Sequence, residues 1–174
     1  MANPRRVLAI HAHPDDIEFQ CAGTLALLKE RGHHITMATM TPGDCGSDEL
    51  APDAISDVRR KEAQAAADLI GAELHCLEFR DLSIVFDNES RRRVTEFIRR
   101  QRPDIVMTAP PVDYMADHEV TSRLVRDACF NASFQTTGLD SGIRLLPHVR
   151  FRTFTTLIRL EAPTGTGTRS SLGL

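Results

Sequence analysis

Two short polar segments of this chain hold the residue types that bind metal ions and move protons. The first is His13-Pro14-Asp15-Asp16 and the second is Asp113-Tyr114-Met115-Ala116-Asp117-His118. Imidazole and carboxylate are ordinary ligands of first-row divalent ions. His13 and Asp16 stand three apart through a turn stiffened by Pro14, so both can converge on one ion. His118 would complete a set of two histidines and one aspartate. Three protein ligands leave a position for water, which is the arrangement of catalytic rather than structural zinc and one that also suits ferrous iron. Zinc would lower the pKa of a coordinated water and polarise a carbonyl oxygen, while a nearby carboxylate outside the ligand set takes the proton. Asp15, read as pointing elsewhere and free, is the expected base. The chemistry is then amide or ester hydrolysis through a tetrahedral intermediate, with no nucleophilic side chain required.

The rest of the chain must bring these segments together. The run Arg6-Val7-Leu8-Ala9-Ile10 predicts a buried parallel strand, and Ile17, Cys21, Leu25 and Leu28 predict a helix that closes at Gly32. A second strand is expected over 35–40, followed by a turn at Pro42-Gly43-Asp44. Residues 45–56 read as a polar loop long enough to act as a lid. Ser56 or Asp57 is expected to cap the next helix, whose small stripe includes Ala63 and Ala67 and ends at Gly71. A third strand is expected over 74–79, and an amphipathic helix over 89–101 with Arg91, Arg92, Arg93, Arg99 and Arg100 on a basic outer face. A fourth strand over 104–109 precedes a helix beginning near Asp117, and 149–160 offers a further strand. The βαβαβαβα order predicts a Rossmann-like parallel sheet in a three-layer α/β/α domain. Ligands of such folds bind beyond the carboxyl ends of the strands, so 11–16, 41–44 and 109–118 should meet at one rim. Arg59 and Asp44 fall near that rim: Arg59 is expected to bind substrate or brace the site, and Asp44 to contact substrate hydroxyls or hold the turn.

Composition bounds the alternatives. The chain has 174 residues, 41% hydrophobic and 26% charged, with a formal charge of −3, which gives no bulk cationic field for nucleic acid or anionic lipid. No apolar stretch approaches the roughly 20 residues that span a bilayer, and MANPRR-VLAI is too brief for a signal peptide, so a cytoplasmic protein without membrane or nucleic-acid partners is expected. Cys21, Cys45, Cys76 and Cys129 form no CxxC pair and read mostly as small buried apolar residues. One domain is expected over 1–160, with 161–174 a loose Gly/Thr/Ser-rich tail. Monomer and homo-oligomer both stay open.

The segment Ala12-His13-Pro14-Asp15-Asp16-Ile17-Glu18-Phe19, followed by Gly23-Thr24-Leu25, resembles the AHPDD signature of the PIG-L/LmbE family of zinc-dependent N-deacetylases. Thr41-Pro42-Gly43-Asp44, Arg59 to Glu62 with Ala66-Ala67 and Gly71, and Arg102-Pro103-Asp104 are similar to further family motifs in family order. The resemblance covers about residues 6–130. It implies an LmbE-like fold, zinc ligands at His13, Asp16 and His118, and a general base at Asp15. It also implies a small N-acylated substrate, of the N-acetylglucosaminyl type or a secondary metabolite. The family usually carries His-Pro-Asp-His around the third ligand, where the first histidine stabilises the oxyanion or protonates the leaving amine and the aspartate orients it. Here Met115-Ala116-Asp117-His118 stands instead. Methionine has no proton to donate, so that role is vacant at its usual position. Tyr114, the single tyrosine, and His148 are candidates for it, and Asp117 keeps an orienting role. With Met115 and a C-terminal section shorter than the family's, a metal- or ligand-binding relative without turnover is the alternative reading.

Overall fold

A computed structural model describes residues 3–134 and 150–151. In chain order the elements are β1 (Arg6–His11), α1 (Asp16–Glu30), β2 (His34–Thr39), α2 (Pro52–Ile70), β3 (Glu73–Cys76), α3 (Asn88–Gln101), β4 (Ile105–Thr108), α4 (Ala116–Asn131) and β5 (Arg150–Phe151). The strands form one parallel sheet in the order β3-β2-β1-β4-β5. Alternation along β1 sends Val7 and Ala9 to one face and Leu8 and Ile10 to the other. On the first face they pack with Ile17 and Leu25 of α1 and Ala67 of α2. On the second they pack with Val94 and Ile98 of α3 and Leu124 and Val125 of α4. Both faces of the sheet are thus covered, which is why its strands read as continuous apolar runs. Among the described residues no helix is long and apolar enough to cross a membrane.

Chain direction reverses its lateral progress at β1, since β2 lies on one side of it and β4 on the other. That is the topological switch point of a doubly wound sheet, where the loops after β1 and β4 diverge and leave a crevice. The expected fold class therefore holds.

Several local expectations are revised. α2 begins at Pro52 rather than at Ser56 or Asp57. Proline fits the first helical turn because its fixed φ suits the helix and its missing N–H would have no partner there. Ser56 lies inside the helix, with its hydroxyl donating to the Pro52 carbonyl at 2.7 Å. The expected lid loop over 45–56 shortens accordingly. β3 ends at Cys76, yet its pairing continues irregularly as Leu77 N–H donates to Thr39 O and Phe79 N–H to Met40 O, both at 2.8 Å. Cys129 is buried as expected, but Cys45 is exposed and Cys21 and Cys76 are half-buried. Of the strand expected over 149–160, Arg150–Phe151 is described. His148 and the tail over 161–174 lie outside the described residues.

Arg99 departs most from the sequence reading. It belongs not to a basic outer face but to the interior, at 3% exposure. Its guanidinium donates to the carbonyls of Asn131 (3.0 Å) and Ala132 (3.3 Å) and to that of Phe134, where α4 ends and its last carbonyls lack helical partners. A planar donor fork can serve several such carbonyls at once. Arg99→Met should therefore destabilise the domain by about 1.5–3 kcal/mol, because the stem volume is kept while buried carbonyls lose their donor. Urea unfolding, with the slope unchanged and the midpoint lowered, would show it.

Candidate metal centre

The switch-point crevice holds the two polar segments face to face. His13 and Asp16 stand where β1 turns into α1, and His118 lies in the first turn of α4. The three side chains form a triangle. His13 Nδ1 is 3.2 Å from His118 Nε2, His118 Nε2 is 3.3 Å from Asp16 Oδ1, and His13 Nδ1 is 3.4 Å from Asp16 Oδ2. Ligand atoms about 2.0–2.1 Å from a tetrahedral ion are spaced by about 3.3–3.4 Å, so this donor set fits one zinc-sized cation.

The outward nitrogen of each imidazole faces carboxylates. His13 Nε2 is 2.9 Å from Asp81 Oδ1 and 3.3 Å from Asp117 Oδ2, and His118 Nδ1 is 3.0 Å from Asp113 Oδ1. A carboxylate behind a ligating histidine fixes the tautomer that leaves the inner nitrogen's lone pair free for a metal. The electrostatics carry the same message. Asp16, Asp81 and Asp117 are buried and Asp113 nearly so, with no lysine or arginine in hydrogen-bond contact with any of them among the described residues. Burial opposes protonation of His13, but its hydrogen bond to Asp16 and the field of Asp81, Asp16 and Asp117 outweigh that and push its pKa up to about 9. Burial would likewise raise Asp16, yet the hydrogen bonds from the His13 side chain and backbone hold it below the ordinary carboxylate value. His11, just behind, is driven the other way: burial pulls it down to about 4, and its Nδ1 has no partner.

Asp15 has a different environment from Asp16. It precedes α1 with φ 95°, in the left-handed region that aspartate tolerates better than most residues, and its side chain makes no cap hydrogen bond. It is not free as expected. Arg59 of α2 donates through Nη2 to Asp15 Oδ2 at 2.5 Å and to the Pro14 carbonyl at 2.6 Å, while Nη1 donates to Glu62. Arg59 thus braces the turn that carries His13 and Asp16. Gly43 closes the same corner with φ 76°, and a Cβ there would lie 3.3 Å from Pro14 and 3.4 Å from Arg59.

The remaining expected site residues fall at the same rim in altered roles. Asp117 faces His13 rather than His118, and its Oδ2 also accepts from Leu82 N–H at 2.8 Å. Asp44, expected at the substrate, accepts from Asp81 N–H through Oδ1 at 2.9 Å and so props the loop behind His13. Tyr114 is 89% exposed, its ring edge-on to His118 at 5.5 Å between centroids. Met115 is the N-cap residue of α4. Sequence patterns alone do not single out Asp81, and they place Asp113 in its cluster without a role. For Asp81 the only available signal was its place beyond the carboxyl end of β3, on the rim where ligands gather.

Fold and site together define a doubly wound α/β domain with a two-histidine, one-aspartate cluster at its switch point. The family model of GlcNAc-PI de-N-acetylases, PIG-L, matches residues 8–129, and the chain belongs to that family. It is 29% identical over 110 residues to diacetylchitobiose deacetylase of Thermococcus kodakarensis, covering 62% of this chain and 41% of that protein. It is also 27% identical over 155 residues to 4-oxalmesaconate hydratase of Pseudomonas putida, covering 84% of this chain and 59% of that one. Among solved structures, N,N'-diacetylchitobiose deacetylase from Pyrococcus horikoshii in complex with its inhibitor matches with a TM-score of 0.77 at 27% identity, over 83% of this chain and 58% of that one. The chain therefore spans between 41% and 59% of the length of these relatives.

Asp81→Ala or Asp113→Ala should each weaken zinc affinity about 10–100-fold, since each removes a carboxylate that orients one imidazole, the nearer of two in the case of His13. Competition against a chromogenic chelator measures it, with His118→Ala as the reference for outright loss of a ligand. Affinity equal to the parent protein's in both aspartate variants would contradict the assignment.

Proposed function

We propose that the protein is a zinc-dependent hydrolase that removes an acyl group from the amine of a small N-acylated metabolite, of the N-acetylglucosaminyl type or a secondary metabolite. The observation that carries this reading is the triangle of His13, Asp16 and His118, with donor spacings suited to one tetrahedral ion, and the residue before Asp16 in the same turn, Asp15, is a carboxylate outside it. When bound, zinc supplies Lewis acidity, which lowers the pKa of water and polarises an amide carbonyl. Ferrous iron fits the same donors.

The chain's own groups do the rest. Asp15 accepts the proton of the attacking water at Oδ1, because Oδ2 is already bonded to Arg59. Arg59 keeps that carboxylate aimed. Asp81 and Asp117 hold His13, and Asp113 holds His118, so neither imidazole can rotate out of the triangle. Amide cleavage also requires a proton for the departing amine. Met115 cannot give one, and Asp15, having taken a proton from water, can return it.

A second reading has its own support. Adding water to an electron-poor double bond needs an activated water but no leaving amine, so a missing amine donor at Met115 costs it nothing. One relative of this chain is a hydratase. The two chemistries separate by product: free amine appears in one and a new hydroxyl in the other.

The test is amine release from N-acetylglucosamine derivatives, with metal content measured alongside. Chelation should abolish turnover and zinc should restore it, while Asp15→Asn should reduce kcat about 100- to 10,000-fold with zinc still bound. Full turnover after chelation or in Asp15→Asn would overturn the mechanism, and hydration without amine release would establish the second reading. Met115→His should raise amine release, by up to about 100–1000-fold if no other group donates to the oxyanion. A parent protein that binds zinc yet is silent on all substrates until that substitution would be a relative whose catalysis has lapsed.

A further inference from the structure

The outward side of α4 is a different surface from the one that faces the metal centre. Helical spacing sets Arg123, Arg126, Asp127 and Phe130 on that side, while Leu124, Val125 and Ala128 turn to the sheet. With Arg91 from the first turn of α3 and Phe86 from the loop before it, they line a cleft of about 570 Å³, a size that suits a small organic molecule. Arg126 lies eight residues beyond His118, about 12 Å along the helix axis.

The charges of the cleft do not cancel. Asp127 is the one acid in its lining and is already committed. Arg91 donates to it through Nε at 2.8 Å and Nη2 at 3.2 Å, and Asn131 Nδ2 donates to it at 2.7 Å. Arg123 and Arg126 have no carboxylate in ion-pair contact among the described residues. Glu119, one turn before Arg123, is turned instead to the Asp113 N–H, from which it accepts at 3.0 Å. Both arginines also border a second cleft of about 260 Å³ beside Pro111, so the two guanidinium groups stand together. Arg123 is held in place as well: its guanidinium carbon lies 4.0 Å from the centre of the Phe86 ring. Stacking occupies the face of the group and leaves its N–H edge for an acceptor, with part of the ordering cost met before any ligand arrives. Phe130, 67% exposed, gives the same cleft an apolar side.

From this we infer that the cleft between α3 and α4 binds a small organic anion, a carboxylate or phosphate ester carried on an apolar, ring-sized body. Arg123 and Arg126 take the anionic oxygens, which match the guanidinium fork, and Phe130 covers the body. A neutral polar molecule would desolvate two guanidinium groups without supplying a countercharge. A bare inorganic ion would leave the Phe130 ring in water. The site is separate from the metal centre and does not depend on the hydrolase reading.

The test is calorimetric titration of the full chain with phenyl phosphate, phenylacetate and inorganic phosphate, once with zinc added and once after chelation. At least one of the two aromatic anions should bind, with the same affinity in both metal states, and the one that binds tells phosphate from carboxylate. It should bind about 5–10-fold more tightly than inorganic phosphate, because the ring is taken out of water. Arg123→Gln and Arg126→Gln should each weaken it about 10-fold. Arg126→Gln removes no ion pair, so its urea midpoint should stay at the parent's. Phe130→Gln should bring the aromatic anion down to the affinity of inorganic phosphate and leave that of inorganic phosphate unchanged. No binding of either aromatic anion, or affinity that survives both arginine substitutions, overturns the inference. Binding lost on chelation overturns it too, since the anion would then sit on the metal. So does an aromatic anion held no more tightly than inorganic phosphate, which would mark adventitious anion binding only. Self-association abolished by Arg126→Gln, with no anion bound, would make the cleft a contact between copies and overturn it equally.

Discussion

The structure depends on one unfavourable arrangement, four carboxylates gathered out of water around two imidazoles. Asp16, Asp81, Asp113 and Asp117 stand within hydrogen-bond reach of His13 or His118, and no lysine or arginine among the described residues joins them. Like charges at such spacing repel strongly once desolvated, and a buried carboxylate without a countercharge is costly. Protonation of His13 relieves part of the excess. A divalent cation relieves more, and it also uses the inner nitrogens that a proton leaves facing one another. The acidic cluster is thus a property of the fold that calls for a cation, apart from any likeness to other proteins.

Keeping that cluster in place explains features remote from the chemistry. β1 and β4 are hydrogen-bonded neighbours with opposite onward directions, so the chain leaves the sheet twice at one crevice and brings residue 13 beside residue 118 without a long loop. Gly43 admits Pro14 and Arg59 to the same corner because it lacks a Cβ, and Arg59 ties that corner to α2. Asp44 fixes Asp81 from the next loop along the rim. These contacts join the loops that follow β1, β2 and β3 to one another and to α2.

Much of this was readable from residues alone, for identifiable reasons. The parallel sheet was legible because strands covered on both faces are nearly all apolar, and the triangle was legible because imidazole and carboxylate in a proline-stiffened turn have few other uses. The partners of the histidines were not. An aspartate in a loop after β3 looks like any turn residue until the sheet order places that loop beside β1, and sheet order is a nonlocal property. Arg99 was misplaced for a similar reason. Helical periodicity assigns it to a charged face, whereas its burial follows from α4 ending beside it with carbonyls to satisfy. The start of α2 was misjudged because Ser56 is as good a cap as any, and Pro52 marks a helix start only when the turn before it is known.

The adjacent pair Asp15 and Asp16 shows how one backbone angle can separate two roles. Both are aspartates and share a turn, yet Asp16 enters the helix and points inward to the histidines, while the left-handed φ at Asp15 swings its carboxylate out to Arg59. A right-handed conformation at residue 15 would start the helix one position earlier and turn that side chain away from α2. The crevice would then hold a fifth acid, or the exposed surface a spare one, and in neither case would a carboxylate stand beside the triangle without belonging to it. Hydrolysis at a metal centre needs such an outsider, because a ligand whose lone pairs are committed to the cation is a poor proton acceptor. The strain at residue 15, held by an arginine from another helix, therefore matters to the proposed chemistry as directly as the ligand triangle does.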